Sequence, residues 1–390
     1  MKKPTRILVG LSLTVLVVAG VCSCGRQDDT VAPPTNGTGF SLIDTTYLDS
    51  LLTAIENDVY GEVHSVLIHR RDSLVFEHYF NGYFRERLHP VYSVTKSVTS
   101  ALIGIAIDRG EIADVDEEML GFFPDHGAIA NLDSLKESIT LKHLLTMTAG
   151  FEWDEWSLPY DHPENDVSRM YVSSDWVSYV LDLPMTDVPG TRFVYNSGVS
   201  MLLSAILTNV TGLSARDYAI SHLFGRLGVT SWSWDPAPRN PGMSIGGWGL
   251  RLRPIDMVEF GRLYLQKGKW GEEQIVSREW VEFSTQPHAT ISDRTNYGYQ
   301  WWMYSDFIVE EGLVEVNDIF IAVGRGGQYI WVVPQYELVV VSTAWNDNNG
   351  KSSSPMFFRY IIPAVQAADA ARGPRYGPRK VPVRFPSWSP

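Results

Sequence analysis

Two apolar or alternating runs, residues 63–68 and 74–79, flank the polar Arg70-Arg71-Asp72-Ser73, a spacing that predicts a β-hairpin. After an extended approach at Pro90-Val91-Tyr92, the chain enters a run with no glycine or proline until Gly104. That run predicts an amphipathic helix opening at Ser93. From Glu111 to about Gly242 the pattern turns helical and loop-rich, with candidate helices at 141–148, 175–182, 199–208 and 215–227 and no competing strand-like run. Past Gly249, Pro254 opens a helix to 266 and Ser277 caps another to 284. Four strands are predicted at 297–304, 319–323, 328–333 and 338–344, with Pro334-Gln335-Tyr336-Glu337 as the turn between the last two. A closing helix spans 357–371.

Strands near both ends with helices between them place the chain in the α/β (α+β) class: one sheet assembled from both chain ends, flanked by helices, with a mainly helical lobe inserted at about 111–242. The ends read differently. Lys2, Lys3 and Arg6 precede about fifteen apolar residues, fewer than the roughly 20 that span a bilayer, so residues 1–23 read as a removed signal peptide. Val21-Cys22-Ser23-Cys24-Gly25 resembles a bacterial lipobox, which makes Cys24 the lipidated first residue of the mature protein and residues 24–40 its tether. The alternative is an ordinary secretory signal with two incidental cysteines. On the first reading the protein is exported to the cell envelope and held at a membrane by its lipid. Both cysteines lie in this leader, so the domain at 41–372 has no disulfide; residues 373–390 form a Pro-rich tail.

A net charge of −13 without a basic stripe argues against nucleic acid as a partner. The 13 tryptophans include the close pairs Trp153/Trp156, Trp232/Trp234 and Trp301/Trp302, which either line a cleft or pack as core and rim. The histidines are scattered without ligand spacing, so neither a metal nor another cofactor is expected.

Ser93 and Lys96 fall one helical turn apart on one face, close enough for the amine to hydrogen-bond the hydroxyl it must deprotonate. The structural alternative is a capping serine with a solvated lysine. Tyr195 sits in a turn, Pro189 to Gly198, that feeds the 199–208 helix. It can act as a general base only if a cation such as Lys96 lowers its pKa; otherwise it anchors the turn. In Gly324-Arg325-Gly326-Gly327-Gln328, glycines permit close backbone approach, strand N–H groups can stabilise an oxyanion, and Arg325 adds a positive charge; a plain turn is the alternative. Gly242-Met243-Ser244-Ile245-Gly246 fits G-x-S-x-G, but proline-rich sequence precedes it and Gly247-Trp248-Gly249 follows, so Ser244 lacks the strand and helix a nucleophile elbow needs.

These elements, in this order, resemble the serine β-lactamase and penicillin-binding superfamily, and within it the class C-like branch with the related esterases and 6-aminohexanoate-dimer hydrolases. The resemblance runs from about Ser41 to Ala371. It includes Leu144-Leu145-Thr146-Met147-Thr148-Ala149-Gly150, similar to that family's L-L-T-H-T-S-G; Pro189-Gly190 before the tyrosine; Gly246-Gly247 with Leu250, Pro254 and Asp256; and Tyr297-Gly298-Tyr299-Gln300-Trp301-Trp302. It implies an antiparallel sheet of the β-lactamase/transpeptidase type, with Ser93 as acylated nucleophile, Lys96 as its proton-shuttling partner and Tyr195 as second base. By the same resemblance the backbone N–H groups of Ser93 and Gln328 form the oxyanion hole, and Ser197, Arg325, Gly326 and Gly327 contact substrate.

Two departures stand out. The family's Y-x-N becomes Tyr195-Asn196-Ser197, and Arg325 replaces Lys or His with a guanidinium that holds its proton. Both suit a serine hydrolase of small esters or amides. The alternatives are a true β-lactamase or D-Ala-D-Ala peptidase, or a surface-tethered binding protein that keeps the fold without catalysis.

Overall fold

The computed structural model describes residues 41–373 apart from 305, 306, 310, 311, 315–317 and 348. The leader, Cys24, the tether up to residue 40 and the tail beyond 373 lie outside the described residues. Strands β1 (Val63–Arg70) and β2 (Ser73–Tyr79) form the expected hairpin. Its two turn residues, Arg71 and Asp72, both take positive φ (47° and 60°), the mirror-image turn whose twist matches antiparallel strands. The other strands of the main sheet are β3 (Ala289–Ser292), β4 (Thr295–Tyr297), β5 (Trp302–Tyr304), β6 (Ile319–Gly324), β7 (Gln328–Val333) and β8 (Leu338–Ala344). Among the described residues they make an eight-stranded sheet in the order β2-β1-β8-β7-β6-β5-β4-β3, with every pair antiparallel. The two ends of the chain thus meet in one sheet, β1 pairing with β8.

Side chains alternate across this sheet, so each face buries its own core. Trp331, Val333, Leu338 and Val340 face one layer with helices α1 (Thr45–Glu56) and α5 (Ile362–Ala371). Ile330, Val332, Val339 and Val341 face the other, against α2 (Val94–Asp108) and α4 (Pro254–Leu265), with α3 (Ser197–Thr211) packed behind α2. Helix α2 is not amphipathic as expected: every residue from Val94 to Ala106 is buried, because the sheet covers one side and the helical lobe the other.

Other differences have local causes. The run 297–304 is not one strand but the hairpin β4–β5, folded at Gln300, whose φ is 63°. Its side chain turns inward and donates to the Leu144 and Leu145 carbonyls (3.2 and 2.9 Å), and it accepts from Ser200 Oγ (2.8 Å). Trp232–Trp234 is a strand inside the lobe expected to have none; it joins Leu250–Leu252 and His89–Pro90 in a small sheet. Thr45–Glu56, Ser134–Glu137 and Asp166–Val172 are helices, and Ala289–Ser292 a strand, that the pattern left unassigned. The helices predicted at 215–227 and 357–371 each contain a π-helical turn, at Ile220–Phe224 and Phe357–Ile361.

Candidate active site

The small sheet delivers the chain to Ser93. His89 and Pro90 pair with Leu252 and Arg251, and Val91 N donates to the Leu250 carbonyl at 3.0 Å. Tyr92 then takes φ 47°, an uncommon conformation for an aromatic residue, and α2 begins one residue after Ser93. The Ser93 side chain makes no capping bond. Instead Lys96 Nζ donates to Ser93 Oγ at 3.1 Å, to Ser197 Oγ at 3.1 Å and to the Gly247 carbonyl at 2.9 Å. Lys96 is only 1% exposed, so it is not the solvated lysine of the structural alternative. Burial lowers its pKa to about 8, opposed by the attraction of Glu155. Gly247 keeps the amine's place open: a Cβ there would lie 3.3 Å from Nζ.

Glu155 is the residue that sequence reasoning missed. It is 2% exposed, and four donors converge on its carboxylate. Oε2 accepts from Trp153 Nε1 (2.8 Å) and Ser197 N (2.6 Å), while Oε1 accepts from Tyr160 Oη (2.9 Å) and Ser197 Oγ (3.0 Å). It lies in a loop without periodicity, and nothing in the sequence around it signals its role. Asn196, the preceding residue, caps α3 by accepting from Val199 N at 3.1 Å.

Tyr195 is buried, and its hydroxyl interacts with that of Ser93. Burial first, then the Glu155 carboxylate, push its pKa well above the ordinary tyrosine value, with the Ser93 contact lowering it only in part. Lys96 Nζ lies 5.0 Å from the centre of the tyrosine ring, and the cation-lowered pKa expected from the sequence is replaced by a shift in the opposite direction. Tyr195 is therefore a neutral phenol, able to donate.

Gly324 ends β6 against the approach to Ser93, where a Cβ would come within 2.3 Å of the Val91 carbonyl. Gly326 and Gly327 take φ 79° and 102°. The wholly buried Gln328 ties the loop down by donating from its side chain to the Arg325 and Ala344 carbonyls, at 3.1 and 2.6 Å. Arg325 is not a free cation: it donates twice to Asp347, at 2.7 and 2.6 Å, and its guanidinium lies 5.0 Å from the Tyr160 ring centre.

Two cavities meet at Ser93. One of about 360 Å³ is lined by Trp156, Tyr195, Trp302, Arg325, Gly326 and Gly327; the other, about 300 Å³, by Tyr92, Tyr160, Tyr171, Ser197 and Trp248. The tryptophan pairs divide between the two roles foreseen for them. Trp156, 58% exposed, stacks on Tyr195 (5.1 Å) and lies 6.4 Å from Trp302 at the cleft, whereas Trp153, Trp234 and Trp301 are buried and Trp232 packs on Phe224. A larger cavity of about 890 Å³ beside β2 contains none of the predicted site residues.

Ser244 is buried and structural, accepting from Arg216 N at 3.0 Å. His162 Nδ1 accepts from Glu164 N, and His222 packs on the Tyr218 ring. Among the described residues there is no cluster of three potential metal ligands, and no single helix is long and apolar enough to cross a membrane.

Residues 62–356 match the family model described as Beta-lactamase. The chain is 22% identical over 325 residues to the 6-aminohexanoate-dimer hydrolase of Paenarthrobacter ureafaciens, covering 78% of each. Among solved structures it resembles EstCE1, described as a hydrolase with promiscuous acyltransferase activity, with a TM-score of 0.65 at 18% identity over 82% of this chain and 98% of that one. A family VIII carboxylesterase gives a TM-score of 0.62 at 15% identity over 82% and 96% of the two chains.

Proposed function

The chain belongs to the Beta-lactamase family, and from that premise we propose that it is a serine hydrolase that cleaves a small, neutral ester or amide through an acyl-enzyme on Ser93. The observation that carries this reading is Lys96. Its amine lies 3.1 Å from Ser93 Oγ, touches no carboxylate directly, and is drawn by burial to about 8, where the neutral form is readily reached. A surface-tethered binding protein would have no use for a buried amine of lowered pKa bonded to a serine hydroxyl.

In the first step Ser93 Oγ attacks the carbonyl carbon as its proton passes to Lys96 Nζ. The developing oxyanion is held by the backbone N–H groups of Ser93 and Gln328, and the Tyr195 phenol gives its proton to the departing alcohol or amine while the proton held by Lys96 replaces it. In the second step water attacks the ester on Ser93, its proton passing through the Tyr195 hydroxyl to the neutral Lys96 amine. Lys96 then reprotonates Ser93 Oγ, and the acid leaves with every group restored.

Charge selects among substrates. The two cations lining the cleft are both paired, Arg325 with Asp347 and Lys351 with Asp58. A substrate carboxylate, as in a β-lactam or a D-Ala-D-Ala peptide, would meet cations whose charge a carboxylate already balances. Aromatic walls instead favour an apolar ester. The lipid anchor at Cys24 and an envelope location belong to the same proposal and rest on the leader sequence.

Hydrolysis of p-nitrophenyl butyrate by protein beginning after Cys24 tests the reading. Activity is expected in the wild type and in Ser244→Ala, and is expected to vanish in Ser93→Ala. An inactive wild type, or a Ser93→Ala variant that keeps its rate, would sink it.

A further inference from the structure

A serine hydroxyl beside a catalytic amine is ambiguous, since it can offer the amine either a lone pair or a hydrogen. A neutral Lys96 has two N–H donors and one lone pair. The Gly247 carbonyl can only accept, so it takes one N–H. If Ser197 accepts the other, the lone pair is left for the Ser93 proton. If Ser197 donates, the lone pair is consumed and the base is lost. The hydrogen on Ser197 Oγ is directed by Glu155 Oε1, 3.0 Å away.

We propose that Glu155 is a positioning residue that fixes the direction of the Ser197 hydroxyl and thereby reserves the Lys96 lone pair for Ser93. The proposal rests on the reading of Ser93 and Lys96 as nucleophile and base. It explains why a carboxylate is buried here and why a serine stands at the third position of the Tyr195 motif. The charge on Glu155 also supports the protonated amine one hydroxyl away. The other titratable groups around the amine are Tyr195, whose ring lies against it, and, beyond Glu155, Tyr160 and Arg325.

Glu155→Gln separates direction from shape. Two fixed donors, Trp153 Nε1 and Ser197 N, converge on Oε2, so the amide oxygen must occupy that position. The NH₂ then faces Ser197 Oγ, which must accept from it and turn its own hydrogen toward Lys96. The kcat for p-nitrophenyl butyrate is expected to fall about a hundredfold or more, the loss typical of a removed general base, with KM little changed. Ser197→Ala, which has no hydroxyl to misdirect, is expected to lose about tenfold and to move the acidic limb of the pH profile below that of the wild type, because the ammonium loses an acceptor. The decisive variant is the double one. Glu155→Gln/Ser197→Ala is expected to be about tenfold more active than Glu155→Gln alone, whereas a merely structural Glu155 would make the second change neutral or harmful.

A Glu155→Gln enzyme within about threefold of wild type, or a double variant no faster than Glu155→Gln, would overturn the proposal. If Glu155→Gln does not fold, Ser197→Ala decides by itself: a loss of about a hundredfold in kcat, or an unmoved acidic limb, overturns it. Failure of the underlying reading looks different, since Ser93→Ala would then leave the wild-type rate intact or the wild type would be inactive.

Discussion

At the scale of single residues, the chemistry depends on how far burial overrides an amine's ordinary affinity for protons. Lys96 has lost its water, and the nearest carboxylate acts on it through a hydroxyl, so desolvation prevails and its pKa falls from 10.5 to about 8. On the proposed mechanism the neutral amine is the working form, so activity is expected to rise with pH. kcat/KM is expected to climb through an inflection near 8 and to be about tenfold lower for each unit below it. An inflection near that of a free lysine would contradict this. Lys96→Arg, which keeps the charge but holds its proton, should lose at least about a hundredfold at every accessible pH. The Ser93–Lys96 spacing was legible because a helical turn fixes it. The partners of Arg325 and Ser197 were not, because Asp347 and Glu155 reach them across 22 and 42 residues of chain through loops whose path no periodicity encodes.

At the scale of elements, the site depends on a helix buried on all sides. Local signals had pointed correctly to the β1–β2 hairpin, the capped helix after Ser277 and the strands β6 to β8, where turn chemistry and apolar runs agree. They failed at residues 297–304, where aromatic residues satisfy a strand pattern although Gln300 folds the backbone and binds the lobe. They failed again at α2, whose small and hydroxylated residues look like a solvent face. Thr99 Oγ1 in fact donates to the Gly246 carbonyl (2.8 Å), and Ser97 Oγ to the Gln300 carbonyl (2.7 Å). Gly104 is where the helix meets Trp280 without room for a side chain, since a Cβ there would lie 2.4 Å from the Trp280 ring. Alanine improves helix propensity by about 1 kcal/mol, but overpacking a filled core costs about 1–3 kcal/mol. Gly104→Ala is therefore expected to lower the urea midpoint. Gly121→Ala, with no neighbour within 4 Å of its Cβ, should leave the midpoint unchanged or raise it. Equal effects of the two would show that packing around α2 is looser than described.

At the scale of the whole molecule, a sheet closed by both chain ends needs something to hold them together, and Arg70 does so. Its side chain is fully buried at the end of β1. It donates to the Leu42 carbonyl (2.5 Å) ahead of α1, to the Tyr336 carbonyl (3.3 Å) in the turn before β8, and to Asp369 Oδ2 (2.5 Å) in α5. One guanidinium thus joins the segment ahead of the first helix, the last helix and the turn that leads into β8. Asp369→Ala would leave that cation buried without its counter-ion, a change that costs about 3–5 kcal/mol, whereas Arg71→Ala removes only the partly exposed second partner of Asp369 and should cost about 1 kcal/mol or less. In equilibrium urea unfolding the first variant is expected to lose a large part of its midpoint and the second almost none. Because the pair lies in the layer of α1 and α5, on the opposite face of the sheet from α2, the folded fraction of Asp369→Ala should hydrolyse ester at the wild-type rate per molecule. A drop in that specific rate would mean that the two faces of the sheet are coupled, and that the closure of the chain ends also sets the geometry of the nucleophile.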